Sequence, residues 1–148
     1  MDKEIRRIKF EKIKTIVIIV AIVLVVCSII FAKFAIDTQS RNMFREAKNV
    51  QLAMDMLSVE YYARDMHIYD SNHRNGLADG VEERIEQLSG EDGDIYVTSY
   101  SFKSREVTGF MYERGIYRVR YEKAKDGSKE WTVDLIIPVF KYDKNYED

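Results

Sequence analysis

The sequence predicts an α+β protein, with a long N-terminal transmembrane-to-amphipathic helix packed on a small antiparallel β-meander. Three observations predict it. The first glycine is Gly76 and the only proline is Pro138, so the leading 75 residues lack both of the strongest helix punctuators. The run from Thr15 to Ala32 carries no charged side chain and is filled almost throughout by Ile, Val, Leu, Ala and Phe. Past Gly93 the apolar residues change from a helical to an alternating period, the mark of half-buried strands.

The first 14 residues are basic, with Lys3, Arg6, Arg7, Lys9, Lys12 and Lys14. The uncharged run behind them is 18 residues long, and at a rise of about 1.5 Å per residue it covers roughly 27 Å, close to a bilayer's hydrocarbon core. Its Ile/Val content does not argue for a strand, because a lone strand in lipid leaves its backbone groups unpaired. A transmembrane helix over 15–36 is therefore expected. Basic residues are denser ahead of the span than behind it, where Lys33, Arg41, Arg45 and Lys48 are spread more thinly, so the N-terminus is expected in the cytoplasm and the rest outside. Removal as a signal peptide is the rival reading. The apolar run is longer than a signal h-region, and Ala32 and Ala35 have the wrong spacing for cleavage, which favours an uncleaved signal anchor. Leu24-Val25-Val26-Cys27 departs from a lipoprotein site at Val26, and Cys27 is expected as an apolar filler.

Beyond the span, Ile36, Met43, Ala47, Val50, Met54, Leu57 and Tyr61 recur at steps of three, four and seven, with Ser40 filling the gap. This spacing puts them on one face of an amphipathic helix over 37–65, with a bend expected near Asp37 to Ser40. Met43, Ala47, Val50, Met54, Leu57 and Tyr61 are thus the candidate helix-packing residues, against either their own domain or a partner helix. Three heptads without a sustained charge pattern at the flanking positions favour the intramolecular choice.

Residues 66–148 are expected to form, together with 37–65, one extracytoplasmic domain. Met66 to Gly80 is expected as a loop, with Asp70-Ser71-Asn72 and Asn75-Gly76 as turn formers. Val81 to Leu88 is spaced for a short helix stopped by Gly90. Strands are expected at Ile95 to Lys103, Val107 to Glu113, Ile116 to Lys123 and Glu130 to Phe140, with Pro138 at a strand end or sheet edge. Tyr117, Val119 and Tyr121 alternate with charged residues, and Trp131, Val133, Leu135 and Ile137 repeat the pattern after Asp126-Gly127. That pattern is a hairpin with one buried face, which the amphipathic helix is expected to cover.

Composition narrows the function. Of 148 residues 46% are hydrophobic and 32% charged, which leaves room for one modest domain and an appendage. A single cysteine excludes an internal disulfide framework. The formal charge of −2 hides a split, since residues 1–36 carry seven Lys/Arg against three Asp/Glu while the remainder carries sixteen against twenty-two. An acidic distal part argues against nucleic acid as partner, even with Lys103, Arg105 and Arg114 near its aromatics. The expected partners are the lipid bilayer and other protein chains, or further copies of this one, met through the long helix.

Catalysis has no motif to rest on: there is no phosphate-binding glycine loop, G-x-S-x-G elbow or H-E-x-x-H. Neither a cofactor nor a small-molecule substrate is expected. His67, Asp70 and His73, with Asp65 nearby, are the one constellation that a metal or a hydrolase could use, and solvated loop histidines are the simpler reading. Glu91, Asp92 and Asp94 around Gly93 are expected as a polar turn, the twelve-residue calcium loop being absent. A possible sheet contact face is formed by Tyr96, Tyr100, Phe102, Phe110 and Tyr112, of which half are expected in the core.

The layout of basic leader, apolar helix running into an amphipathic half, and small antiparallel sheet resembles the type IV pilin and pseudopilin group. The stretch Ala47-Lys48-Asn49-Val50-Gln51-Leu52-Ala53-Met54, followed by Leu57 and Tyr61-Tyr62-Ala63, is similar to the soluble half of the pseudopilin helix. The resemblance implies a membrane-anchored component of a bacterial surface filament, secretion or DNA-uptake assembly. Prepilins carry a leader ending in Gly before Phe-Thr-Leu, with Glu five residues into the mature chain. Here Phe10 follows Lys9 and Lys14 occupies the Glu position, so no functional residue of that family carries over. The alternative expectation is a signal-anchored protein-binding module of a cell-envelope or conjugation complex, whose sheet resembles cystatin-like or nuclear-transport-factor-like domains.

Overall fold

The structure is a computed structural model that describes residues 2–136 and 143–146, with side chains for residues 12–136. Its elements are α1 (Asp2–Ala63), α2 (Val81–Ser89) and strands β1 (Asp94–Ser101), β2 (Glu106–Arg114), β3 (Tyr117–Lys123), β4 (Lys129–Leu135) and β5 (Asp143–Tyr146). The fold class is α+β, as expected. The chain divides into two compact units, Met1–Gln39 and Ser40–Asp148.

The first unit is helical, and its apolar side chains are exposed from Ile13 to Phe34, at 48% for Val26 up to 76% for Phe31. An 18-residue window here reaches a mean hydropathy of 3.3 with none of it buried, so one helix is long and apolar enough to cross a membrane. Two of its hydroxyls turn inward on the backbone. Ser28 donates to the Leu24 carbonyl at 2.8 Å and Thr38 to that of Phe34 at 2.9 Å. Such i to i−4 bonds let a hydroxyl sit in an apolar medium without an unmet donor. Residues 37–40, where a bend was expected, are helical.

In the second unit the expected stripe is buried. Ser40, Ala47, Val50, Met54 and Leu57 are fully closed off, and Met43 retains 4% exposure. The helix stops at Ala63 rather than Asp65, in a Schellman arrangement. The Met66 N–H donates to the Tyr61 carbonyl at 2.9 Å and the Asp65 N–H to that of Tyr62 at 3.1 Å. Asp65 takes the left-handed position with φ 56°, a role that glycine more often fills.

The sheet is a five-stranded antiparallel meander in the order β1-β2-β3-β4-β5. Its register stacks Tyr112 on Val119, Phe110 on Tyr121, Tyr121 on Trp131 and Val119 on Val133, all buried. Alternate residues carry the charges of the opposite face, where Arg120 meets Asp134 at 3.1 Å, while Lys123, in phase with Tyr121 at the end of β3, meets Glu106 at 3.1 Å. Trp131 is the centre of the core, with ring centroids 4.6 Å from Tyr121, 6.0 Å from Phe110 and 5.4 Å from Phe44 of α1. Polar ties join helix and sheet: the Tyr112 hydroxyl donates to the Glu46 carboxylate at 3.1 Å, and Arg114 reaches that same carboxylate at 3.1 Å.

Several boundaries differ from expectation. β1 ends at Ser101, short of Lys103, because residues 102–105 form the turn into β2, with Arg105 at a left-handed φ of 53°. The fifth strand was not expected, since Asp143-Lys144-Asn145-Tyr146 has no apolar alternation, and backbone pairing to residues 131–134 holds it in register. Residues 137–140, expected to end the fourth strand, and Pro138 with them, lie outside the described residues. The segment 66–80 is more than a loop. Tyr69 and Leu77 form an isolated bridge, Ile68 and Leu77 are buried, and the Val97 N–H donates to the Asn75 carbonyl at 2.8 Å. Gly76, at φ 74°, makes this closure possible. A side chain there would adopt a strained backbone and crowd Tyr69 and Val97 at 3.1 Å.

Candidate functional site

The six helix-packing candidates are consumed by their own domain. Met43, Ala47, Val50, Met54 and Leu57 are buried in the core and Tyr61 is half-buried. The face that α1 leaves open is a second apolar stripe of Leu52, Met56, Val59 and Tyr62, each more than half exposed. Their steps of four, three and three are helical, so the same spacing rule that found the core face could have found this one. Counting only the strongest stripe hid it.

The expected sheet face is corrected in part. Phe110 and Tyr112 are fully buried, because alternation along β2 turns them toward α1. Burial, and then the charge of Glu46, pushes the Tyr112 hydroxyl pKa up, so Tyr112 is a neutral core donor. Tyr96 is half-buried. Tyr100 and Phe102, at the irregular end of β1, instead join residues of the 66–80 segment in an aromatic cluster that sequence spacing does not reveal. Tyr69 stacks on Tyr100 with centroids 5.1 Å apart, and Phe102 stands edge-on to both at 5.9 and 5.1 Å. His67 Nδ1 lies 3.0 Å from the Tyr100 hydroxyl. Phe102 is 63% exposed and Met66 50%. The two register shifts in β1 carry Tyr100 toward His67 and Tyr69, which is why simple alternation misplaces it.

His67, Asp70 and His73 are not brought together. His67 is engaged with Tyr100, whereas His73 Nε2 lies 3.7 Å from Asp70 and 3.4 Å from Asp79. Among the described residues no group of three His, Cys, Asp or Glu side chains is placed to hold a metal ion. Of the acidic turn, Glu91 accepts a bond from Asn49 at 3.0 Å and Asp92 pairs with Arg114 at 2.9 Å.

A further feature among the described residues is a groove between α1 and the connection from β1 to β2. It encloses about 270 Å³, with Asp55, Ser58, Val59 and Tyr62 on one wall and Ser104, Arg105 and Glu106 on the other. Arg105 is held from outside, 2.7 Å from Asp65 and 4.9 Å from the centre of the Tyr62 ring. Exposed apolar side chains and an aromatic cluster are features that contact surfaces share.

No family model matches the chain, and neither a curated protein nor a solved structure matches it.

Proposed function

We propose that this chain is a single-pass, membrane-anchored and non-enzymatic component of a bacterial surface filament, secretion or DNA-uptake assembly, of the pilin-like kind. Its N-terminus is cytoplasmic and the Ser40–Asp148 unit lies outside the membrane. The observation that carries this reading is the division of labour along α1. An exposed apolar window of mean hydropathy 3.3 is followed by a stretch whose inner side chains are core and whose outer side chains, Leu52, Met56 and Val59, are apolar and open. Exposed apolar patches on a folded unit mark contact surfaces. Assembly through the helix then uses the outer stripe, not the stripe from Met43 to Tyr61.

Cysteine cross-linking in cells tests this. With Cys27 replaced by serine, Leu52→Cys, Met56→Cys and Val59→Cys are expected to give linked multimers, and a cysteine at buried Val50 none. If no outer-face position yields a linked product, the assembly reading fails.

A second reading is favoured by the aromatic cluster: a signal-anchored binding module that captures a protein through Phe102, Met66 and Tyr62. Phe102→Ala would then abolish capture while Met56→Ala leaves it intact. Tyr112 cannot discriminate the two readings, since it is buried.

A further inference from the structure

The two walls of the groove are unequally satisfied. On the strand side, Glu106 is paired with Lys123 at 3.1 Å and accepts a bond from Ser104 at 3.0 Å, while Arg105 is spent on Asp65 and the Tyr62 ring. On the helix side, Asp55 has neither a hydrogen bond nor an ion pair among the described residues. Ser58, one turn further along the helix, is only 9% exposed, and its hydroxyl oxygen is closed off with no hydrogen-bond partner. A hydroxyl left unmet in this way costs about 1–3 kcal/mol. Burial raises the pKa of the Asp55 carboxyl, outweighing the opposing pull of Lys129 and Lys123. Asp55 is therefore open enough to be reached yet partly stripped of water.

We infer that this groove is a binding site for a primary ammonium group on an alkyl stem, the chemistry of a lysine side chain. The ammonium would donate to the Asp55 carboxylate and, with a rotation of the Ser58 side chain that turns its closed-off hydroxyl to the groove it lines, to that oxygen as well, while the stem lies against Val59 and the Tyr62 ring. An anion is disfavoured because Arg105, which lines the groove, is engaged by Asp65, the nearby Lys123 is engaged by Glu106, and Asp55 faces the space. A divalent ion is disfavoured because one carboxylate free of other partners cannot supply the six or more oxygens such an ion takes. This inference does not depend on the filament reading.

The test uses the full chain, isotope-labelled, in lipid nanodiscs and titrated with n-butylammonium chloride, with n-butanol and sodium chloride as controls. Saturating NMR shifts are expected at Asp55, Ser58, Val59 and Ser104 to Glu106, with no saturating response to either control. Asp55→Asn is expected to weaken binding at least tenfold and Ser58→Ala severalfold, the latter deleting a hydroxyl that holds nothing in place. Titration with Nα-acetyl-lysinamide and with putrescine then separates a lysine side chain from a free diamine as the source, and saturable binding of either supports the assignment. Shifts that do not saturate, an equal response to n-butanol, or unchanged binding in both variants would overturn it.

Discussion

At the scale of single residues, Trp131 and Tyr112 govern the stability of the folded unit by different physics. Trp131 is fully buried among Tyr121, Phe110 and Phe44, so Trp131→Ala removes a large apolar surface and leaves a cavity. A loss of about 3–5 kcal/mol is expected, read by urea unfolding of the full chain in detergent micelles. Tyr112 contributes through its hydroxyl. Tyr112→Phe keeps the ring and removes the bond to Glu46, at a cost of about 1.5–3 kcal/mol, the range for bonds to charged groups. The same hydroxyl sets an alkaline limit. The unfolded chain releases this proton near the ordinary tyrosine value of 10.0, whereas burial and Glu46 make the folded chain keep it. Above that pH the unfolded state binds fewer protons, so stability falls as pH rises. The fall is expected to be shallower in Tyr112→Phe, compared in unfolding curves between pH 9 and 11. Gly93 is a tighter constraint still. A Cβ there would lie 2.6 Å from Tyr112 Cζ and 2.7 Å from the Glu113 carbonyl oxygen, so Gly93→Ala is expected to destabilise by about 1–3 kcal/mol.

At the scale of elements, the segment from Met66 to Gly80 depends on its own backbone geometry. Gly76→Ala forces a side chain into the left-handed region, which costs about 1–2 kcal/mol before the crowding against Tyr69 and Val97 is counted. Faster amide exchange at Val97 and Ala78 is expected, since both N–H groups are bonded across this closure. Such a device shows what sequence periodicity can and cannot reveal. The long helix, α2 and strands β2 to β4 were legible because each has a repeat of 3.6 or 2 and a clear stop, such as Gly90 or Asp126-Gly127. β5 was not legible, because a short polar strand is held by backbone pairing, which side-chain pattern does not encode. The groove and the aromatic cluster were hidden for a different reason. Asp55 comes to line one groove with Arg105 and Glu106, and His67 to bond Tyr100, only through tertiary closure, 33 or more positions apart along the chain. Leu52, Met56 and Val59 alone were recoverable from spacing.

At the scale of the whole molecule, the basic first 36 residues, the acidic remainder and one helix long and apolar enough to cross a membrane make membrane insertion the property on which the proposed function is tested. An arginine at the centre of such a helix costs about 2.5–3.5 kcal/mol on insertion scales. Val23→Arg is therefore expected to move a substantial share of the protein from carbonate-washed membranes to the soluble fraction. A lysine at exposed Leu52 is expected to leave fractionation unchanged, because Leu52 belongs to the Ser40–Asp148 unit. Protease treatment of intact cells, expected to digest residues beyond 66, checks the orientation.

The two sides of the α1 segment from Met43 to Tyr62 answer to different masters. Side chains turned toward Trp131 and Tyr112 decide whether the unit holds together, whereas Leu52, Met56 and Val59 stand open and, under the proposed function, decide what it meets. The outward surface can thus be rewritten by substitution at little cost to the architecture, while the inward one cannot.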